Sequence, residues 1–148
     1  VILAEPAAGL LSNDDCMQFS SVYIKRIVEA VQDEEFMIVL HNCGNTGQCT
    51  EAMVYTGANA FHFGNAISME EALAACPPEA LVMGNIDPVG VFRMMNPEQI
   101  ENKVTSLLEK TRGFPNFVLS TGCDAPPNVP LENIQAFYHA LSVFNSKQ

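Results

Sequence analysis

Short apolar runs alternate with helical apolar stripes along the whole chain, and this alternation is the strongest constraint on its fold. The runs have the length and composition of buried strands and lie at residues 1–4, 36–40, 58–63, 80–83 and 117–119. A segment with the 3.6-residue apolar period of a helix follows each run. Strands that alternate with helices predict a parallel sheet in an α/β fold, because each crossover helix returns the chain to the same end of the sheet.

Local signals mark where the helices begin. Ser12 offers a cap to the first helix, whose apolar stripe covers residues 22–31, and a glycine-containing turn opens the second. Ser68 followed by Glu71 predicts a capping box, Asn96 precedes a proline at the first helical position, and Pro130 opens the last helix. The four later helices are predicted at about residues 44–56, 68–76, 97–113 and 130–144.

Five strand–helix units fit either a doubly wound sheet or a β/α barrel. A complete barrel needs roughly 200 residues or more, so the 148 residues would supply about five of its eight units. We treat residues 1–148 as one domain. The chain starts with a predicted buried strand and without methionine, so we expect it to be cut from a longer protein.

Composition narrows the function classes. The formal net charge is −10 and no basic stripe appears, which argues against binding to nucleic acid or to an anionic membrane. No apolar run approaches the roughly 20 residues of a membrane span, and the N-terminus lacks a signal-peptide pattern. The five cysteines are odd in number and widely spaced, so we expect reduced thiols in a cytoplasmic protein.

Every predicted strand ends in polar residues, which is where parallel α/β folds bind their ligands. These strand-end residues are Glu5, His41, Asn42, Cys43, His62, Asn65, Asn85, Asp87, Ser120, Thr121, Cys123 and Asp124. From this set we assign catalytic roles to Glu5, His62 and Asp87, and substrate-binding roles to Asn65, Asn85 and Asp124.

The sharpest element is the pair His41-x-Cys43, whose side chains share a face if the strand continues through it. Imidazole and thiolate are good zinc ligands, and Cys123 at another strand end can supply a third. Three protein ligands leave an open position, as in catalytic zinc sites. On spacing alone, two buried cysteines and a histidine bonded to the backbone remain an alternative. We interpret Cys16, Cys49 and Cys76 as core or boundary residues and His139 as a surface residue.

Motifs at these strand ends resemble the uroporphyrinogen decarboxylase superfamily through essentially the whole chain. They are His41-Asn42-Cys43-Gly44, Gly84-Asn85-Ile86-Asp87-Pro88, Ser120-Thr121-Gly122-Cys123-Asp124 and Pro130-Leu131-Glu132-Asn133, with Glu5-Pro6-Ala7-Ala8 before them. The resemblance implies a (β/α)8 TIM barrel of roughly twice this length. This chain would then be its C-terminal portion, with the N-terminal part missing.

The resemblance also implies one of two chemistries. Uroporphyrinogen decarboxylases use no metal, whereas the methylcobamide-dependent methyltransferases carry a zinc motif of His-x-Cys and a distant Cys, which here are His41, Cys43 and Cys123. A zinc methyltransferase is therefore implied, with a corrinoid protein as methyl donor and a thiol such as coenzyme M as acceptor. Glu70 is our candidate for a fourth zinc ligand, with Glu5 and Asp124 as alternatives.

Two other functions stay open. A metal-free porphyrinogen decarboxylase would need arginines for the substrate carboxylates, and Arg26, Arg93 and Arg112 all lie in predicted helical regions. A fragment of this kind could instead act as an assembly unit. We expect it to self-associate, because its edge strands would expose inner-face side chains such as Ile2, Ile38, Val82 and Val118.

Overall fold

The computed structural model describes residues 1–147 and contains a parallel five-stranded sheet. The strands are β1 (Ile2–Ala4), β2 (Val39–Asn42), β3 (Ala60–Phe63), β4 (Leu81–Ile86) and β5 (Phe117–Thr121). The helices are α1 (Asn13–Cys16), α2 (Val22–Val31), α3 (Thr50–Tyr55), α4 (Met69–Ala75), α5 (Pro97–Thr111) and α6 (Leu131–Asn145). A π-helical segment, Met17–Ser21, joins α1 to α2, and a 3-10 helix, Pro6–Leu10, follows β1.

The strand order decides between the two folds that the sequence left open. The strands lie side by side in the order β1-β2-β3-β4-β5, and every neighbouring pair is parallel. A doubly wound sheet reverses its strand order at a switch point and so has helices on both faces. Here each crossover advances in the same direction along the sheet. Because crossovers between parallel strands are right-handed, the helices then cover one face, as they do in a β/α barrel.

The helix-covered face holds the main core, and the pleat decides which strand residues reach it. Phe61, Phe63, Val82 and Ile38 are at most 1% exposed there. Assigning Ile38 and Val82 to the inner face was therefore wrong, because alternate residues of a strand point to opposite faces. The inner face carries Ile2, which is 60% exposed, and the half-buried Val39, Leu81, Met83 and Val118. Whether two copies pair there stays a prediction.

A second core cluster lies where α5 and α6 pack on β4 and β5. Ile100 and Val104 of α5 are fully buried and meet Phe137 and Phe144 of α6. Ile134 and Leu141 also pack against this cluster, whereas Leu131 at the start of α6 is 65% exposed. Asn133 is buried in its place, and its side-chain amide donates to the main-chain oxygens of Phe92 and Met95 (3.0 and 2.9 Å). This amide therefore fixes the start of α6 against the turn that precedes α5.

Two elements begin later than predicted because side chains bind the backbone locally, and strand pairing extends a third. Strand β2 begins only at Val39, since the Asp33 carboxylate accepts bonds from the backbone of Glu35 and Phe36 and forms a turn. Helix α3 is shorter than residues 44–56, because the Asn45 side chain holds a non-helical loop before it. Strand β4 continues beyond Met83 to Ile86 by pairing with β5.

Two of the three helix caps predicted from the sequence, at Ser12 and Asn96, are present in the structure. Ser12 accepts a hydrogen bond from the Asp15 backbone, and Asn96 forms a full capping box with Gln99 at the start of α5. The capping box predicted at Ser68 is absent, because the Ser68 hydroxyl donates instead to the Glu70 carboxylate (3.2 Å). No helix within residues 1–147 has the length and apolarity needed to cross a membrane.

The capping box of α5 gives a test of the fold. Asn96→Ala should lower the free energy of unfolding by about 1 kcal/mol, because the Gln99 backbone amide loses its partner. Asn96→Asp keeps a capping oxygen and should unfold like the unmodified protein. Urea denaturation followed by circular dichroism measures both, and equal stability of the Ala and Asp variants would contradict the assignment of the cap.

Candidate metal centre

Parallel register brings the reactive strand ends to one edge of the sheet. His41 of β2 pairs directly with His62 of β3, and Cys43 and Cys123 follow the ends of β2 and β5. These four side chains line one cavity of about 410 Å³ on the inner face, together with Asp124. Apolar residues of β1 form its other wall. The cavity is therefore a mixed pocket that opens at the carboxyl ends of the strands.

His41, Cys43 and Cys123 form a group that can hold a metal ion. One ligand atom from each residue lies within 4.8 Å of the others, and His41 Nε2 is 3.6 Å from Cys123 Sγ. His41 is 7% exposed, while both cysteines are half-buried. The three predicted ligands thus converge, although 82 residues separate His41 from Cys123.

The orientation of the His41 ring is fixed by its neighbours. Its Nδ1 donates a hydrogen bond to the main-chain oxygen of His62 (3.1 Å). The two imidazole rings also stack, with centroids 4.6 Å apart and an interplanar angle of 35°. A proton held on Nδ1 leaves the lone pair of Nε2 free on the side of the cysteines, which is the tautomer that a metal requires.

The loop that presents Cys43 is organised by two buried asparagines. Asn42 Oδ1 accepts from the backbone amides of Gly44 and Asn45, both at 3.1 Å. Asn45 in turn accepts from Gly47 and Cys49 (2.9 and 3.0 Å). Asn42 and Asn45 are 1% and 0% exposed, so these bonds are protected from water. The sequence indicated Asn42 only as a strand-end polar residue and gave no sign that Asn45 orders this turn.

Close backbone approaches at two glycines bring the cysteine loops together. A Cβ on Gly64 would lie 2.6 Å from the Cα of Cys43, and one on Gly122 would lie 2.7 Å from the amide nitrogen of Asn65. The loop after β3 is therefore packed between the Cys43 loop and the Cys123 loop. Sequence reasoning missed both roles, and the available signal was a glycine directly after the predicted strand end.

Burial sets the protonation of the groups around the cavity. Desolvation, followed by the neighbouring Cys123 thiol, raises the pKa of the Cys43 thiol above its usual range. Desolvation also lowers the pKa of His62, and the nearby His41 acts in the same direction. His62 is therefore neutral at physiological pH, and its Nε2 donates to the main-chain oxygen of Thr121 (2.7 Å).

The carboxylates assigned to catalysis and metal binding lie elsewhere, with the exception of Asp124. The Glu5 side chain accepts a hydrogen bond from the Ser20 hydroxyl, on the side of the helices. Asp87 accepts from the backbone amides of Val89 and Gly90 (2.9 and 2.8 Å) and so stabilises its own turn. Glu70 is exposed on α4, 3.6 Å from the Lys110 ammonium. None of the three lines the cavity, because local partners draw each one away.

Of the three residues assigned to substrate binding, Asp124 lines the cavity, whereas Asn65 and Asn85 do not. Asp124 is exposed at the mouth of the cavity. Asn85 uses its side-chain amide to donate to the main-chain oxygens of Gly64 and Ile67 (3.0 and 2.6 Å), which makes it a support for the β3–α4 loop. Asn65 is exposed and does not line the cavity.

The remaining thiols lie in the core or at helix ends, in agreement with their predicted core or boundary positions. Cys16, Cys49 and Cys76 are at most 7% exposed. Burial raises the pKa of Cys49 to about 11, with the neighbouring Cys16 adding to the effect, and burial raises that of Cys76 to about 12. His139 is exposed and lies 3.0 Å from the Glu101 carboxylate, so its surface assignment is confirmed.

Comparison with known proteins identifies the family. A family model described as uroporphyrinogen decarboxylase (URO-D) matches residues 1–143. The chain belongs to the uroporphyrinogen decarboxylase family. The resemblance inferred from the strand-end motifs is thereby confirmed.

Similar proteins in the uroporphyrinogen decarboxylase family include a methyltransferase and uroporphyrinogen decarboxylases. The methylcobamide:CoM methyltransferase MtbA of Methanosarcina mazei is 28% identical over 137 residues, which cover 91% of this chain and 39% of that protein. A uroporphyrinogen decarboxylase of Synechococcus sp. (strain CC9605) is 33% identical over 135 residues, 90% of this chain and 37% of that protein. This chain spans about two fifths of the length of these relatives.

A solved structure supports the fold of this family member directly. A methyltransferase from Methanosarcina mazei superposes with a TM-score of 0.84 at 25% identity, covering 97% of this chain and 42% of that one. With the unreversed strand order, this match confirms that the chain forms part of a TIM barrel.

Thiol labelling tests the burial pattern in this URO-D family chain. Two thiols of the native, metal-free protein, those of Cys43 and Cys123, should react with Ellman's reagent well before the three buried ones. All five should react after unfolding in guanidinium chloride. Cys43→Ser and Cys123→Ser should each remove one accessible thiol, and fast labelling that survives in the double variant would contradict the assignment.

The contact at Gly64 is tested by a matched pair of substitutions. Gly64→Ala forces a methyl group into the Cys43 backbone and should lower the free energy of unfolding by roughly 1–3 kcal/mol, as overpacking does. Gly113→Ala places its Cβ in open space and should change stability little. Urea unfolding compares the two variants, and equal effects would show that the Cys43 loop is not confined by Gly64.

Proposed function

We propose that this chain provides the metal centre of a zinc-dependent methyltransferase, which moves a methyl group from a corrinoid protein to a thiol acceptor. The observation that supports this most strongly is the convergence of His41, Cys43 and Cys123, three residues from two distant strand ends, in one cavity. The name of the Methanosarcina mazei relative, a methylcobamide:CoM methyltransferase, supports the same reaction.

The donor set fits zinc in its chemistry, and the separation of one ligand pair fits the geometry of a zinc site. A tetrahedral zinc ion with ligand bonds of roughly 2.0–2.3 Å holds its ligand atoms about 3.3–3.8 Å apart. The separation of 3.6 Å between His41 Nε2 and Cys123 Sγ falls within this range. One imidazole and two thiols are soft and borderline ligands of the kind that select zinc. Three ligands from the protein leave a fourth position open to the cavity.

The chain's own residues prepare this position for a thiol. When bound, zinc would supply the positive charge that lowers the pKa of an acceptor thiol and keeps it as the nucleophilic thiolate. His41 presents Nε2 because its Nδ1 is committed to the His62 carbonyl. The cavity of about 410 Å³ admits a small acceptor, and Asp124 is the carboxylate at its mouth. We therefore favour Asp124 over Glu5 and Glu70 as the exchangeable fourth ligand.

Decarboxylation of a porphyrinogen is the second candidate, favoured by the 33% identity to a uroporphyrinogen decarboxylase. The expectation from the family resemblance is that this reaction needs no metal. Two thiols that converge beside an imidazole would then have no catalytic purpose in this chain. Metal content therefore separates the two candidate functions.

Metal analysis of cysteine variants tests the proposal. The purified protein should bind close to one zinc ion per chain, measured by inductively coupled plasma mass spectrometry after equilibration with zinc and gel filtration. Cys43→Ala and Cys123→Ala each remove a ligand and should weaken zinc binding at least tenfold, and methyl transfer by the protein that carries this chain should fall with it. Cys76→Ala removes a buried thiol outside the cavity and should leave zinc binding unchanged.

Two outcomes of that analysis would contradict the methyltransferase proposal. One is a metal-free protein that still decarboxylates a porphyrinogen. The other is a Cys43→Ala variant that retains full zinc binding. Circular dichroism of each variant shows whether the fold has survived, so that loss of zinc can be separated from loss of structure.

A further inference from the structure

We propose that His62 is a positioning residue that ties the two halves of the metal centre together, with His41 on one side and Cys123 on the other. This inference rests on the proposed zinc function and adds a residue to it. His62 is not one of the candidate ligands, since it lies outside the converging group. Its ring and its main chain instead make separate contacts to each half.

The first connection runs from β3 to β2. The main-chain oxygen of His62 accepts the Nδ1 proton of His41 (3.1 Å), and this bond selects the tautomer with Nε2 free. The imidazole of His62 stacks against that of His41, with ring centroids 4.6 Å apart. The backbone bond fixes the proton and the stacking restricts ring rotation, so His41 Nε2 has one available direction.

The second connection crosses from β3 over β4 to the end of β5. His62 Nε2 donates to the main-chain oxygen of Thr121 (2.7 Å), although β3 and β5 are not neighbours in the sheet. The Thr121 hydroxyl then donates to the main-chain oxygen of Cys123 (2.7 Å). The chain of contacts His62–Thr121–Cys123 therefore holds the loop that carries the third ligand.

This geometry favours positioning over proton transfer. His62 Nε2 is occupied as a donor to a carbonyl oxygen, which cannot receive a proton in the reaction. The same ring sits beside the His41 ring and is half-buried. Loss of the ring would remove the bond to Thr121 and the packing against the His41 ring, while the main-chain bond to His41 Nδ1 would stay. Cys123 and the His41 ring would then be held less firmly at their separation of 3.6 Å. Outer partners of this kind are worth about 10–100-fold in metal affinity.

Cobalt titration of His62 variants tests the inference, because Co²⁺ reports both affinity and geometry. The unmodified protein should show the thiolate-to-cobalt charge-transfer band and the intense d–d bands of a tetrahedral site. His62→Phe keeps a stacking ring but has no donor, and it should bind Co²⁺ at least tenfold more weakly with altered d–d bands. His62→Gln restores a donor toward the Thr121 oxygen and should recover part of the affinity. His139→Phe is the control for a histidine outside the site.

The outcomes of the Co²⁺ titration separate the positioning role of His62 from the zinc proposal. Unchanged Co²⁺ affinity and d–d bands in a folded His62→Phe variant would overturn the positioning role and leave the zinc proposal standing. Absence of Co²⁺ binding by the unmodified protein would overturn both. If His62→Phe does not fold, Thr121→Val serves as the test instead, since it removes the hydrogen bond from the Thr121 hydroxyl to the Cys123 main-chain oxygen. Wild-type affinity in Thr121→Val would then overturn the proposal, and a weakened, spectrally altered site would support it.

Discussion

The parallel register of β2 on β3 is the constraint on which the rest of the site depends. It pairs His41 with His62, and the same ladder continues through β4 to β5, whose end carries Cys123. In a parallel sheet a slip of one residue would turn every side chain to the opposite face. If β3 slipped, His62 would enter the core and the rings of Phe61 and Phe63 would turn toward the cavity. The burial of those phenylalanines therefore also fixes the direction of the imidazoles.

The loops beyond the strands depend on steric contact and not on a ladder. Strand β2 ends at Asn42, so Cys43 is held by a turn whose amides bind the buried Asn42 and Asn45 side chains. Gly64 and Gly122 allow three loops to lie against one another at distances that a Cβ would forbid. The candidate ligand His41 thus belongs to the sheet, whereas the candidate ligands Cys43 and Cys123 belong to loops held by hydrogen bonds and by glycine packing.

The sequence predicted the parts of the structure that follow from periodicity and from the strand-end rule. Alternating apolar runs predicted the five strands, and polar residues after them included all three converging ligands. The positions of the carboxylates relative to the cavity could not be predicted in this way. Glu5, Asp87 and Glu70 each bind another partner, and only the folded structure shows where that partner lies. The starts of β2 and α3 shifted for the same reason: short side-chain-to-backbone bonds at Asp33 and Asn45 outweigh apolar patterns there. The role of His62 could not be predicted either, because its hydrogen-bond partner Thr121 is 59 residues away in sequence and lies on β5, two strands from β3.

The contrast between a rigid histidine and loop-borne cysteines has a consequence for metal binding. Burial and the nearness of Cys123 raise the pKa of Cys43, so in the absence of a cation the Cys43 thiol resists ionisation. A divalent cation held by His41, Cys43 and Cys123 would reverse this balance, because its positive charge would favour the thiolate forms. Metal binding would then tighten the cysteine loops onto a histidine whose ring and tautomer are already set by His62. In that proposed site the ordering cost would fall mainly on the Cys43 and Cys123 loops. The glycine contacts and the Thr121 bonds would reduce it, because they limit the positions those loops can occupy.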